Sequence, residues 1–302
     1  MRLGAHIGIA EGLALAPATG RRIGGEAIQI FSKSPQMWAG PAIPDDAAAA
    51  FRSAVVGEKL TGTAVHNGYL VNLASPKVPM MKRSRTAFLD ELQRAEKLGV
   101  DALILHPGAH LGTGADEGIQ RLGESLNSAF DATPGFKVRV LLENAAGQGS
   151  ALCSTFTELT KALSTVHDRS RVGVALDTCH LFAAGNDFRT PELYGALMDR
   201  LEAELGRGEV RAFHLNDAKA PVGSHLDRHE NIGKGEIGTE GFRSFLNDPK
   251  WREVPGYLET PLDDDDYAKY VTDLATLKSL VAEAPTTSAK PRRTSSRAPT
   301  AK

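Results

Sequence analysis

Eight short runs rich in β-branched and apolar residues recur along the chain, and each of the last six ends in a side chain able to hold a metal ion. The runs are RLGAHIG, AIQIF, TGTAVH, ALILH, VRVLLEN, VGVALD, VRAFHLN and GYLET. From the third run onward the ends carry His66, His106, Glu143, Asp177, His214 and Glu259, at steps of 40, 37, 34, 37 and 45 residues. Each step is about the length of one strand–helix unit. Helical patterns lie between the runs. In RSRTAFLDELQRAEKLG, residues Phe88, Leu89, Leu92, Ala95 and Leu98 fall on one face and Gly99 supplies the stop. FTELTKALSTV is a second such stretch. Strands alternating with helices over about 260 residues predict an α/β chain folded as a (β/α)8 TIM barrel rather than an open sheet.

In that architecture the C-terminal ends of the strands form the reactive face. Scattered structural histidines and carboxylates would not share the phase of the strand repeat, so the six strand-end residues are read as one group. Two further donors sit just beyond strand ends. His180 follows Asp177 by three residues, a spacing that means little alone. LDRHENIGKGEIG offers Asp227 and His229, which point to the same side if the segment is extended. Five imidazoles and four carboxylates without a thiolate suit zinc in sites of three or four protein ligands, hence more than one ion. The other histidines are set aside. His6 is read as structural. His110 follows His106 at a spacing that Pro107 and Gly108 prevent from being helical. His167 falls in a polar helix end, and His225 remains open as an outer partner of the site. Cys179 is read as a small buried residue.

Bulk properties narrow the rest. The formal net charge of −2 means that nucleic-acid binding must come from a local patch or from bound cations. The two cysteines, Cys153 and Cys179, are too few for a disulfide framework and fit a reducing compartment. No apolar run approaches the ~18 residues that span a bilayer. His6 and Glu11 interrupt the apolar start, which therefore reads as mature protein and not as a signal peptide. Residues 1–283 are expected to form a single domain. Residues 284–302, rich in Pro, Ser, Thr and basic side chains, are expected to be a disordered basic tail. The acidic run Asp263 to Asp266 reads as a solvated helix start.

The stretches HNGYLVNLASP, LILHPGAH, LLENAAGQG, VGVALDTCHLFAAG, HLNDAK with DRHENIGKGEIG, and YLET, taken in this order, resemble the endonuclease IV family of apurinic/apyrimidinic endonucleases. The resemblance implies three Zn²⁺ per chain, with Mn²⁺ an alternative at one position. One ion would be held by His66, His106 and Glu143, and a second by Glu143 as a bridge with Asp177, His214 and Glu259. His180, Asp227 and His229 would hold the third. Three dications against four carboxylates leave about +2, a pocket suited to a phosphodiester in a slightly acidic chain.

The implied reaction is base-excision repair. A metal-bound hydroxide, positioned by Glu143 as the catalytic residue, cuts 5′ to an abasic site in duplex DNA and leaves a 3′-hydroxyl and a 5′-deoxyribose phosphate. Clearing of 3′-blocked ends is implied as well, by a cytoplasmic monomer acting at the nucleoid without an obligatory protein partner or membrane. Tyr69 and Leu70 match the family's intercalating positions. In FSKSPQMW, Lys33 and Trp38 are expected to meet the DNA backbone, while Gln36 stands where the family often has Arg. Two rival readings share the barrel or the ligands: a metal-dependent sugar isomerase or epimerase, and a non-catalytic metal-dependent DNA-binding protein. The first gives no task to His180, Asp227 and His229.

Overall fold

The structure is a computed structural model that describes residues 1–263 and 267–282. The proposed tail, residues 284–302, and most of the acidic run lie outside the described residues. Of that run Asp263 is described, where its Oδ1 accepts from the Lys269 ammonium at 2.6 Å.

Eight parallel strands close a barrel: β1 (Arg2–Ile7), β2 (Ala27–Phe31), β3 (Thr63–His66), β4 (Ala102–Leu105), β5 (Arg139–Glu143), β6 (Val172–Asp177), β7 (Val210–His214) and β10 (Pro255–Leu258). Neighbours in sequence pair with each other, and β10 pairs with both β7 and β1 to complete the ring. Every expected strand is present. The strands read as nearly unbroken apolar runs because both of their faces are covered. Ala27, Ala64, Ala102, Ile104, Leu141, Ala175, Ala212 and Tyr257 fill the lumen. Small side chains are needed there, since eight strands leave little room inside.

The outer layer consists of α1 (Ala16–Arg22), α2 (Asp45–Gly57), α3 (Val78–Leu98), α4 (Ala115–Asp131), α5 (Phe156–Ser164), α6 (Thr178–Ala183), α7 (Pro191–Glu204), α8 (Gly238–Asn247) and α9 (Ala268–Ser279). On α3, Phe88, Leu92, Ala95 and Leu98 are buried as their spacing predicts, whereas Leu89 is half-buried at the edge of the stripe. Gly99 ends this helix at φ 68°, a left-handed position that suits glycine. One element was not foreseen. Asp217–Ala218 (β8) and His229–Glu230 (β9) form a short antiparallel ribbon above the barrel, pairing Ala218 with His229.

Candidate metal centre

The barrel carries its donors to one mouth by the simplest means. His66, Glu143, Asp177 and His214 are the last residues of β3, β5, β6 and β7, while His106 and Glu259 each follow a strand by one residue. His180 arrives differently. Asp177 caps α6, its Oδ1 accepting from the backbone N–H of His180 at 2.8 Å. The three-residue spacing is thus that of an N-cap and the third helical position. The cap uses one oxygen of Asp177 and leaves Oδ2 facing the mouth, 3.6 Å from Nε2 of His229.

Asp227 and His229 are placed by Asp217, which the sequence reading passed over. Its buried carboxylate accepts from the backbone N–H groups of Gly233, Gly235 and Ile237 at 2.9, 3.1 and 2.9 Å. A side chain on Gly235 would meet the Ala218 carbonyl at 2.3 Å, so glycine is required where this loop folds over β8. The loop in turn holds the β8–β9 ribbon over the mouth.

The nine donors gather into three groups, the first two sharing Glu143, each with one ligand atom per residue within 4.8 Å of the others: His66, His106 and Glu143; Glu143, Asp177, His214 and Glu259; and His180, Asp227 and His229. Glu143 divides its oxygens between groups. Oε2 lies 3.3 Å from His66 Nε2 and 3.6 Å from His106 Nε2, while Oε1 lies 2.8 Å from His214 Nδ1. In the third group Asp227 presents Oδ2 to His180 Nε2 at 3.1 Å and Oδ1 to His229 Nε2 at 3.3 Å.

These spacings fit a tetrahedral cation, whose ligand atoms, about 2.0–2.1 Å from the ion, lie roughly 3.3 Å apart. The orientation of the rings agrees. Nε2 of His180 and Nε2 of His229 are buried without a hydrogen-bond partner, although each is within ion-pair distance of Asp227. The atoms are close, but the nitrogens do not aim at the oxygens, as expected if both address a common point. The donor set, nitrogen and oxygen without thiolate, suits zinc.

Charge balance within the pocket is tight. Burial disfavours the anions of Glu143 and Glu259, yet the neighbouring imidazoles, His214 foremost, hold both carboxyls below their ordinary range. Asp227 behaves likewise between His180 and His229. Burial also opposes a positive charge on His214 and His229, but the surrounding carboxylates outweigh it and push both up to about 9. His106 is the exception: burial wins and lowers it.

Several supporting residues escaped the sequence reading or, like His6, were set aside as structural. Asn144 accepts from the Asp177 backbone N–H at 2.6 Å, and Asn216 donates to Asp177 Oδ2 at 2.7 Å. Gln29 and His6 stand beside Glu259. The repeated Asn after a strand end, in LLEN and HLN, was the available signal for the first two. His110 and His225 turn their Nδ1 atoms to the main chain. His110 Nδ1 accepts from the backbone N–H groups of Gly112 and Gly114, and His225 Nδ1 pairs with the Ala146 carbonyl at 3.1 Å. Cys179 is buried as expected, although its position also brings it near Asp177 and His229.

The rim beside the mouth is built from residues 31–41 and 67–72. The Tyr69 backbone N–H donates to the Pro35 carbonyl at 3.1 Å and ties the two segments together. Tyr69 is 63% exposed and Leu70 36%, so both are open to a partner. Gln36 is exposed and Trp38 half-buried. Lys33 corrects the expectation of a backbone contact. Its ammonium is buried against α3, paired with the equally buried Glu91 and, at 3.1 Å, with Asp90. A buried carboxylate left without its counter-charge would be costly, so Lys33 is committed to anchoring the loop. An exposed cation beside this rim is Arg83, with its guanidinium 4.4 Å from the centre of the Trp38 ring.

Known proteins resemble this chain in sequence and in fold. The family described as xylose isomerase-like TIM barrel matches residues 18–280. The "Probable endonuclease 4" of Chlorobium phaeobacteroides is 44% identical over 262 residues, 86% of this chain and 92% of that one. That of Geobacter sulfurreducens is 41% identical over 279 residues, 92% and 94% of the two chains. Among solved structures, endonuclease IV from Thermus thermophilus superposes with a TM-score of 0.80 at 31% identity, covering 92% of this chain and all of that one. A D-tagatose 3-epimerase-like protein shares the fold at a TM-score of 0.68 and 16% identity. By sequence along most of its length and by fold, the chain belongs to the endonuclease IV family of xylose isomerase-like TIM barrels.

Proposed function

We propose that this protein is a zinc-dependent apurinic/apyrimidinic endonuclease, cutting duplex DNA 5′ to an abasic site and leaving a 3′-hydroxyl and a 5′-deoxyribose phosphate. Residues 1–283 act as one domain, with 3′-blocked ends as further substrates. The observation that carries the reading is the third group, His180, Asp227 and His229, joined to the six strand-end donors at one mouth. A sugar epimerase on the same barrel has no use for that group.

Bound zinc supplies positive charge for a phosphodiester and lowers the pKa of water to about 7, so that a nucleophile exists at neutral pH. The chain's own residues do the rest. Glu143 spans two of the donor groups and fixes their separation. Tyr69 and Leu70, exposed on the rim, enter the minor groove where a base is missing and stacking is cheapest to disrupt. Arg83, held over Trp38, takes the phosphate-facing part that Lys33 cannot.

The test is incision of a duplex with one abasic site, with and without chelator, with zinc counted in the same preparation. Cleavage 5′ to the site, lost on chelation, with close to three zinc ions per chain, is the expected result. A zinc-loaded protein that leaves the abasic strand intact would sink the proposal.

A further inference from the structure

We infer that Gln29 is a positioning residue of the metal centre, setting the tautomer of His214 and clamping Glu259 so that both present ligand atoms to one cation. The inference rests on the reading of the mouth as a metal centre and assigns a role to a side chain outside the donor set.

Gln29 lies in the middle of β2, fully buried, and its carboxamide reaches across the lumen. Its Nε2 donates to Glu259 Oε1 at 2.6 Å and lies 3.0 Å from His6 Nδ1. Its Oε1 lies 2.8 Å from His214 Nε2. The amide has one sensible orientation. Turned over, its oxygen would face a carboxylate oxygen at 2.6 Å, and an ionised carboxylate has no proton to share. With the orientation fixed by Glu259, Oε1 must accept, so His214 carries its proton on Nε2. The other nitrogen, Nδ1, is then the one left to coordinate, and it faces Glu143 Oε1 at 2.8 Å and Glu259 Oε2 at 3.4 Å.

A ligating histidine commonly gives its second N–H to a fixed acceptor, which orients the ring. Three others in this mouth use the main chain. His66 Nδ1 pairs with the Asn67 carbonyl at 2.8 Å, His180 Nδ1 with the Asn144 carbonyl at 2.9 Å, and His229 Nδ1 with the Glu259 carbonyl at 3.2 Å. His214 instead relies on a side chain. Gln29 also touches Glu259, which belongs to the same donor group, so a single substitution acts on two ligands of one position. The sites built from His66, His106 and from His180, Asp227, His229 take no contact from it.

Gln29→Leu keeps the approximate volume and removes donor and acceptor together. Gln29→Glu keeps an acceptor for His214 but sets a second carboxylate against Glu259. Metal-free protein is titrated with Zn²⁺ in competition with a chromophoric chelator, and the ring nitrogens of His214 are followed by ¹⁵N NMR. The expected result is one of the bound ions weakened by about 10–100-fold in both variants with the others unchanged. The His214 Nε2 proton should persist in Gln29→Glu and lose its fixed position in Gln29→Leu. Wild-type affinity at every site in a folded variant of either kind overturns the inference, as does equal weakening of all sites, which would mark a purely structural role. Wild-type protein that takes up no zinc overturns the metal centre itself, an outcome distinct from the other two.

Discussion

Glu143 and His214 stand 71 residues apart in sequence and meet with the carboxylate Oε1 2.8 Å from the imidazole Nδ1. The second oxygen of the same carboxylate faces His66 and His106. One side chain therefore couples two donor groups that no local element joins. Glu143→Gln replaces one oxygen by an amide nitrogen that cannot bind a cation. Since even outer partners of a metal site are worth 10–100-fold, incision should fall by more than about 100-fold. The circular dichroism spectrum should stay that of the wild type. Turnover close to wild type would exclude Glu143 as a bridge.

Asp217 secures the 233–238 loop that follows Asp227 and His229. Asp217→Ala leaves the backbone N–H groups of Gly233, Gly235 and the buried Ile237 without their acceptor. Destabilisation of roughly 2–4 kcal/mol is expected from groups of this kind. Urea unfolding of the zinc-free variant measures it. Zinc uptake should drop at the site of the third group before the others. A variant as stable as wild type would show that the loop is held by something else.

Protonation sets a pH limit on the zinc-free protein. His214 and His229 sit near 9 in the fold, above the ordinary histidine value of 6.5, because the carboxylates facing them outweigh burial. Groups raised in this way stabilise fully below about pH 6.5, and the contribution is lost as pH rises through about 9. Chelated protein should therefore melt at progressively lower temperature between those limits. Zinc-loaded protein should be much flatter over the same range, since cations then take the place of the protons. A flat melting profile for the chelated sample would contradict the charge balance described for the pocket.

Arg83 over Trp38 is assigned to the DNA backbone. Arg83→Ala should weaken binding to abasic and intact duplexes alike, and should reduce the slope of log K against log salt by about 0.9, the value of one phosphate contact. Fluorescence anisotropy over a salt series reads both quantities. Lys33→Ala should act differently, by unseating the loop and lowering stability, because it strands the buried Glu91. An unchanged salt slope in Arg83→Ala would remove that residue from the interface.

Much of this molecule is legible in one dimension. The alternation of β-rich runs with helical stretches dictates the barrel, because a strand covered on both faces must be apolar throughout and a covering helix on one face only. The residue that ends each run is at the mouth by construction, so His66, His106, Glu143, Asp177, His214 and Glu259 could be read from their phase alone. His180 is a donor whose spacing alone meant little; the structure shows why it holds, since Asp177 caps the helix and fixes the position three residues on. Where donors lie off the repeat, the sequence is weaker. Asp227 and His229 come near the others through the β8–β9 pairing and the loop that Asp217 gathers, neither of which has a periodicity. Gln29 and Lys33 show the limit most plainly. In sequence one is a polar residue in an apolar strand and the other a cation in a loop, but tertiary packing sends the first to His214 and Glu259 and the second to Glu91. Partners that distant are chosen by closure of the barrel and by the cost of leaving a buried polar group unmatched, and neither is a local property of the chain.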